Sequence, residues 1–369
     1  MSFNKSLKKF GKLKNQLDRS LDPTLIVTVA TLCVFGVIIV YDSSVAQAMG
    51  DFGDSNYYIR QQLLWLVMGF LSMVFFSKFD FRNLKKFSGI ILIGSLTLLI
   101  LVLVPGFGAS VGGAKRWLNL GVLSIQPSEI VKLSAAIWLA AQFEKKVKIK
   151  PLLILVPIVV FITAILQKDL GTAIVFMVMA VLIFSVSGGA IWQILLTLPV
   201  GLAGVLSLIF TSDYRRNRVL AFFDPFSDTQ GVTYHISQVL IALGSGGITG
   251  LGLGQSRQKF YIPEITTDSI FAVIGEELGF LGGLFLITLF SVLIYRGFKI
   301  AENCTDRFGQ ILAGGITSWL GIQAIINLGA MVSLLPLTGV PLPFISYGGS
   351  ALVANLTAVG ILLNISKKG

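Results

Sequence analysis

The sequence has little charge, little histidine and little cysteine for its length. Only 13% of its 369 residues are charged, against 54% that are hydrophobic, which is too little charge for an ordinary soluble surface. The single histidine, His235, gives no support to a histidine-based triad or a metal site, and we interpret it as an interfacial side chain. Cys33 and Cys304 fall far apart in the predicted topology, so we expect packing residues and no disulfide.

Nucleotide and nucleic-acid motifs are also missing. The chain has no Walker loop and no dinucleotide fingerprint between a strand and a helix, and its glycine-rich "GITGLGLG" is not nucleotide-like. The net charge of +11 is explained by membrane topology and by attraction to anionic lipid headgroups. We therefore expect a membrane protein without a nucleic-acid partner.

The apolar stretches are close to the ~20 residues that a helix needs to cross a bilayer. They predict an all-α polytopic membrane protein of about ten transmembrane helices, at residues 24–41, 61–77, 87–105, 126–143, 151–166, 170–187, 190–210, 269–295, 308–334 and 349–366. The predicted organisation is a basic tail (1–22), one integral membrane domain (23–366) and a short C-terminal tail (367–369). A large extracellular loop (211–268) joins the seventh and eighth helices.

The positions of Lys and Arg predict the orientation. An inside N-terminus places most of the 29 basic residues in cytoplasmic segments, as the retention of positive loops requires, and both termini are then cytoplasmic.

The basic residues that remain lie almost entirely on the outer side, mainly in the loops 106–125 and 211–268. Arg and Lys suit anionic ligands such as phosphate, so they indicate a positive rim around an outward-facing cavity. An equally open alternative pairs them with acidic residues of the same loops or with lipid headgroups. The rim residues are Lys115, Arg116, Arg215, Arg216, Arg218, Arg257 and Lys259.

Ionisable residues within the predicted helices are costly in hydrocarbon and commonly mark a cavity, a pathway or an ion pair. Glu129 and Lys132 are three residues apart, a spacing that permits an ion pair along one helix, so a structural role is favoured for both. Glu276 and Glu277 lie within the eighth predicted helix. A polar cavity wall or hydrogen bonds across the bundle would equally account for them.

Asp268 stands where the eighth helix begins. A carboxylate there is favoured by the helix dipole, so capping is the first explanation from position alone. Glu264, four residues earlier, is near enough in sequence to raise the pKa of Asp268 by like charge. Glu276 is eight residues further on, about 12 Å of helix rise, which is beyond the carboxylate separations of glycosidases.

Four segments of the chain are distinctive: "GGAKRWLNLGVLSIQPSEIVKL", "QKDLGTA", "DPFSDTQGVTYHISQVLIALGSGGITGLGLGQSRQKFYIPEITTDSIFAVIGEELGFLG" and "LPLTGVPLPFISYGGSALV". Together they resemble the SEDS family (shape, elongation, division and sporulation proteins). Within that family, "GLGLGQSRQKFYIPE" is more similar to the division members than to the elongation members. The resemblance implies ten transmembrane helices and a peptidoglycan glycosyltransferase. Such an enzyme polymerises lipid II at the outer face of the bacterial cytoplasmic membrane, here in septal wall synthesis. It further implies a class B penicillin-binding protein as partner, together with other divisome membrane proteins.

The resemblance also assigns roles to residues. The family's catalytic aspartate ends the motif that is here "PEITTD" (263–268), so Asp268 is expected to take the proton of an acceptor hydroxyl, with inversion at the anomeric carbon. The family commonly has histidine and phenylalanine where Thr266 and Ser269 stand. Substrate contacts are expected from Lys115, Arg116, Glu129, Arg215, Arg216, Arg218, Glu264, Ser346 and Tyr347. A divalent cation, Mg²⁺ or Mn²⁺, is a further possible cofactor.

Three alternatives stay open at this point. A flippase that moves the lipid-linked precursor would use intramembrane charges and glycine-rich helices equally well. A polymerase for the lateral wall, or a scaffold that only recruits a synthase, would have the same composition.

Overall fold

The computed structural model describes residues 21–369 apart from 112–113, 120, 122–123 and 229. The first twenty residues, which make up most of the predicted basic tail, lie outside the described part. The helices are α1 Pro23–Phe52, α2 Tyr57–Lys78, α3 Phe81–Leu101, α4 Pro127–Phe143, α5 Lys150–Val160, α6 Leu170–Val186, α7 Ile191–Phe210, α8 Asp213–Phe223, α9 Tyr234–Ser245, α10 Ile270–Asn303, α11 Arg307–Met331 and α12 Gly349–Lys368.

Each predicted transmembrane segment falls on one of these helices, and the predicted polytopic helical fold is confirmed. Within the described residues, seven helices are long and apolar enough to cross a membrane: α1, α2, α3, α7, α10, α11 and α12. The helices α5 and α6 are apolar but shorter, and α5 continues as a π-helical segment, Phe161–Leu166. The tenth, α4, carries the buried Glu129 and Lys132.

Aspartates start several of these helices. Asp22 accepts a hydrogen bond from the N–H of Leu25, and Asp80, Asp169 and Asp306 cap α3, α6 and α11 in the same way. Such a cap satisfies a backbone donor that the first turn leaves unpaired. Four of the 18 acidic residues are therefore used at helix ends.

The core of the bundle is formed by α11 and α12, which are almost wholly buried. Helix α11 packs against α4, α6 and α10, and α12 packs along α2. Helix α7 is the opposite case, because none of the described side chains in its apolar stretch is buried. Its main neighbour is α8.

A small antiparallel sheet between α3 and α4 adds to the helical bundle. It consists of β1 Gly108–Val111, β2 Ala114–Asn119 and β3 Ser124–Ile125, in the order β1-β2-β3. Leu118 of β2 lies opposite Gly108 on one side and Ile125 on the other. From the sequence, only a long loop is expected here. The amide of Gln126 then donates to the Ser350 hydroxyl at 2.9 Å, which ties the sheet to α12.

Helix α10 is broken at Gly279, whose φ of 63° and ψ of −159° are not helical. A glycine-rich segment, 246–252, lies against the break, and its backbone pairs with both ends. A β-carbon at Gly279 would be 2.4 Å from the amide nitrogen of Gly250, so only glycine fits. The pairing consists of four hydrogen bonds, from Leu251 and Gly252 N–H to the Glu276 and Glu277 carbonyls, and from Phe280 and Leu281 N–H to the Gly247 and Ile248 carbonyls.

We call one face of the bundle the loop face. It carries the segments 102–126, 211–269 and 332–348, and it holds all the candidate site residues except those within α4.

Candidate functional site

The candidate site is built on the turn 263–269, which precedes α10. Glu264 has a φ of 51°, unusual for a residue other than glycine. Its carbonyl accepts the amides of Thr267 and Ser269 at 3.1 and 3.3 Å. The Thr267 hydroxyl donates to the Glu264 carboxylate at 3.1 Å. These bonds close a tight turn that fixes Glu264 relative to Asp268.

A second segment, 340–347, holds this turn in place. The Asn327 side-chain amide donates to the carbonyls of Asp268 and Val340, both at 2.8 Å. The Ser346 hydroxyl donates to the Thr267 carbonyl, and the Tyr347 amide donates to the Thr266 carbonyl at 2.8 Å. Ser346 and Tyr347 are thus part of the support of the turn, and their contact with substrate stays a prediction.

The Asp268 carboxyl group is 5% exposed. Burial raises its pKa from 3.8 to about 6, the Arg218 guanidinium opposes the rise, and the Glu264 carboxylate adds to it. The like-charge effect of Glu264 is thus present, although burial is the larger cause. The cap position of α10 is Ser269, which makes no side-chain capping bond. Helix capping, the first explanation from sequence position, therefore does not describe Asp268.

A cavity of about 340 Å³ opens beside this turn on the loop face. A methyl group added at Gly339 would lie 3.7 Å from both an Arg218 nitrogen and an Asp268 oxygen, so these two side chains are close together. Arg218 and Glu264 belong to the lining, and Asp268 is close to both of them. The lining consists of Asn217, Arg218, Ala221, Phe222, Val232, His235, Ile236, Pro263, Glu264, Ser333, Leu335, Pro336 and Leu337.

His235 also lines this cavity, which corrects the interpretation of an interfacial side chain. Its Nε2 lies 2.7 Å from the hydroxyl of Ser269, the residue after Asp268. Burial lowers the His235 pKa to about 4, and the charge of Arg218 adds to this shift, so the imidazole is neutral at pH 7. The signal available in the sequence was that the single histidine falls in the large loop ahead of Asp268.

Of the five basic residues predicted to bind substrate, Arg218 lies at the cavity. Its guanidinium donates to the Leu337 carbonyl at 3.2 Å. Arg215 donates to the carbonyls of Ala164 and Leu208, and Arg216 pairs with the exposed Asp213 at 3.0 Å.

The other two predicted residues, Lys115 and Arg116, lie on β2. Arg116 donates to the Lys168 carbonyl at 2.7 Å and lies 3.6 Å from Asp169. Lys259, another of the predicted rim residues, pairs with Asp42 of α1 at 3.0 Å and is within 3.7 Å of Glu277. Pairing with carboxylates, the alternative to a rim, is thus observed for Arg216 and Lys259. Arg257 is exposed.

The predicted ion pair of Glu129 and Lys132 is confirmed at 2.7 Å, with both side chains 1% exposed. The Lys132 ammonium also donates to the Gln323 side-chain oxygen at 2.6 Å, and the Trp319 indole donates to the same oxygen at 2.9 Å. Gln323 in turn donates to the Pro341 carbonyl at 3.0 Å. This buried network connects α4 and α11 to the segment that supports the Asp268 turn.

The two glutamates within α10 accept hydrogen bonds from the loop that precedes the helix. Glu276 accepts from the Arg257 amide at 3.0 Å, and from the Gln258 amide and the Ser256 hydroxyl. Glu277 accepts from the Ser256 amide at 3.0 Å. The sequence left open a cavity wall or hydrogen bonds across the bundle, whereas the bonds observed run to residues 256–258 of the preceding loop. The glutamates anchor the loop.

These features define a class of protein: a polytopic membrane protein of apolar helices, with a buried carboxyl group beside an arginine-containing cavity at one face. The family model described as "Cell cycle protein", for FtsW, RodA and SpoVE, matches residues 23–369, and the chain belongs to that family.

Individual relatives agree with this assignment. Stage V sporulation protein E of Bacillus subtilis is 39% identical over 94% of this chain and 97% of that protein. "Probable peptidoglycan glycosyltransferase FtsW" of Geobacter metallireducens is 39% identical over 93% and 94%. A chain from a peptidoglycan synthase complex that coordinates polymerization and crosslinking is 29% identical, with a TM-score of 0.76 over 94% and 97%. The rod shape determining protein RodA of Thermus thermophilus is 28% identical, with a TM-score of 0.69 over 94% and 96%.

Proposed function

We propose that this chain is a peptidoglycan glycosyltransferase that polymerises lipid II into glycan strands, in septal wall synthesis. Membership of the family and the relatives named as peptidoglycan glycosyltransferases support the reaction class. The single observation that carries the site is Asp268, a buried carboxyl group with a pKa of about 6 that adjoins Arg218 at the cavity. A general base is most effective when its pKa lies near the working pH, and this pKa meets that condition.

The chemistry needs one carboxylate. A hydroxyl of the acceptor sugar attacks the anomeric carbon of the donor, the new C–O bond forms there, and the bond to the lipid pyrophosphate breaks with inversion. The hydroxyl proton passes to Asp268, and the pyrophosphate leaves with the bonding electrons. Because pyrophosphate leaves without being protonated, the second carboxylic acid that glycosidases use is not required.

Arg218 is placed to stabilise the pyrophosphate in this scheme, because its guanidinium is at the cavity and also beside Asp268. A fixed positive charge directed at developing negative charge is among the strongest catalytic contributions known. Substrate binding stays a prediction for four other basic residues that are not in the cavity lining: Lys115, Arg116, Arg215 and Arg216. Glu129 is assigned to the support of the site through the buried network of α4 and α11.

The polyprenyl chain of the substrate would remain in the bilayer. The amphipathic α9 contributes His235 and Ile236 to the cavity. The described side chains in the apolar stretch of α7 are all accessible to lipid. A lipid tail that lies against such apolar surface leaves its headgroup at the polar wall of the cavity, which suits a polymerase built of membrane helices.

The surroundings of the reaction are part of the proposal. The loop face lies outside the cytoplasmic membrane of a bacterium and both termini lie inside, as the distribution of basic residues indicates. A class B penicillin-binding protein is the partner, by analogy with the similar chain from a synthase complex, and other divisome membrane proteins are expected to join it. A divalent cation remains a prediction, since Mg²⁺ in such sites is commonly held by substrate phosphates, water and one or two carboxylates.

The test is polymerisation of fluorescent lipid II by the purified chain with its penicillin-binding partner, the transpeptidase being blocked. Wild type is expected to make glycan chains and Asp268→Asn none. Equal synthesis by both proteins would remove Asp268 from the mechanism. Lipid translocation in sealed vesicles without any synthesis would favour the flippase instead. Normal septal recruitment with no synthesis by wild type would favour the scaffold.

A further inference from the structure

Four aromatic rings lie together at the loop face where α1 ends and α2 begins. The rings of Phe52 and Tyr57 are stacked with centroids 3.8 Å apart, and Tyr58 meets both of them edge-on at 5.9 and 5.6 Å. Tyr347 meets Tyr58 at 5.0 Å and 90°. We call this set, Phe52, Tyr57, Tyr58 and Tyr347, the aromatic platform. Its rings are half-buried, apart from Phe52, which is 50% exposed.

The platform is continuous with the Asp268 turn. The Tyr347 amide donates to the Thr266 carbonyl at 2.8 Å, and Thr266 is two residues from Asp268, at most about 7 Å of extended chain. Tyr58 is close enough to Glu264 for an electrostatic interaction. The platform therefore borders the turn at Thr266 and Glu264, while Arg218 lies at the cavity that Glu264 also lines.

The platform is surrounded mainly by carboxylates, whereas the lining of the cavity contains the Arg218 guanidinium together with the Glu264 carboxylate. Burial and the charge of the nearby Asp51 carboxylate raise the pKa of the Tyr58 phenol, and the neighbouring Asp54 forms an ion pair with Arg60. Glu264 adds a third carboxylate near the rings. An acidic aromatic surface repels phosphate groups, whereas Arg218 attracts them, so the two regions suit different parts of a lipid-linked sugar.

We propose that the aromatic platform binds the pyranose rings of the acceptor glycan, the part of the reaction that carries no phosphate. This inference rests on the proposed function. The C–H groups on the face of a pyranose ring pack against an aromatic ring, and carboxylates beside the rings accept hydrogen bonds from sugar hydroxyls. Each aromatic contact of this kind is expected to change affinity by about threefold to tenfold.

The experiment measures binding without catalysis. The chain and its penicillin-binding partner are placed in lipid nanodiscs, and the probe is a lipid-free peptidoglycan oligosaccharide of eight sugars that lacks pyrophosphate. Tyr57→Leu is expected to weaken its binding by about threefold to tenfold, and Phe52→Leu, from the other side of the stack, by a similar factor. Tyr57→Phe keeps the ring and is the matched control, with affinity close to that of wild type.

Two further measurements separate the platform from the proposed function. Asp268→Asn should bind the oligosaccharide as wild type does, because the base is not needed for binding. If wild type binds the probe but makes no glycan from lipid II, the polymerase proposal fails while the platform stands. If wild type makes glycan but Tyr57→Leu and Phe52→Leu, both folded, bind the probe unchanged, the platform proposal is overturned. Unchanged binding with lower thermal stability in anionic lipid would instead identify a lipid anchor.

Discussion

Replacing Asp268 by Asn should raise the stability of the chain and lower its activity. The folded-state pKa is about 6, against 3.8 for an ordinary aspartate, so the folded chain binds the proton more tightly than the unfolded chain. The free energy of unfolding therefore falls as pH rises from 3.8 through about 6. Above that pH the buried carboxylate is charged, and the difference between the two pKa values corresponds to a loss of about 3 kcal/mol in the free energy of unfolding. The amide has no such charge, so Asp268→Asn should be more stable at pH 7.5 by up to about 3 kcal/mol.

The same substitution removes the base, and loss of a general base typically costs about 10² to 10⁴ in rate. Wild-type polymerisation should follow the ionised fraction of Asp268, which is about nine-tenths at pH 7, half at pH 6 and a tenth at pH 5.

The assays are chain synthesis from fluorescent lipid II between pH 5 and pH 8, and thermal unfolding over the same range. The stability difference between the two proteins should shrink as pH falls. The reasoning is refuted if Asp268→Asn is less stable than wild type at pH 7.5, or if wild-type activity does not decline near pH 6.

Three further predictions concern Glu264, which is close to Asp268, and two residues of α10, the helix that follows it. Glu264→Gln removes the like charge that raises the Asp268 pKa, so the acid limb of the pH–rate profile should move to lower pH; no shift, or a rise, contradicts this. Gly279→Ala places a β-carbon against a loop amide at positive φ, and unfolding in detergent should show a loss of about 2 kcal/mol. Glu276→Gln weakens the charge-assisted bonds to the loop by about 1–2 kcal/mol and should speed proteolysis of residues 254–260, whereas Glu302→Gln, exposed on the same helix, should not.

The helices were predictable because their cause is local. Each hydrophobic run of sufficient length located a helix, and the spacing of Glu129 and Lys132 gave their ion pair. The motif around Asp268 likewise identified a candidate base from a short stretch of sequence. The family and reaction class followed from such segments.

What the sequence did not reveal depends on contacts between distant parts of the chain. Lys259 pairs with Asp42, 217 residues away, and no local pattern links the two. His235 lines the cavity only because α9 packs against α10. The depth at which Asp268 is buried, which sets its pKa, also results from the segment 340–347 and from Asn327 of α11.

The break at Gly279 also bears on how the chain enters the membrane. A helix interrupted within hydrocarbon exposes backbone groups that lipid cannot satisfy, at a cost of several kcal/mol each. Here residues 246–252 form hydrogen bonds with the backbone groups at the break. Residues 256–258 donate hydrogen bonds to the carboxylates of Glu276 and Glu277. All of these partners precede α10 in the chain, so the ribosome makes them first. The hydrogen-bond partners of the broken helix are therefore already present when α10 enters the bilayer. A circular permutant that starts at Ile270 would reverse this order of synthesis.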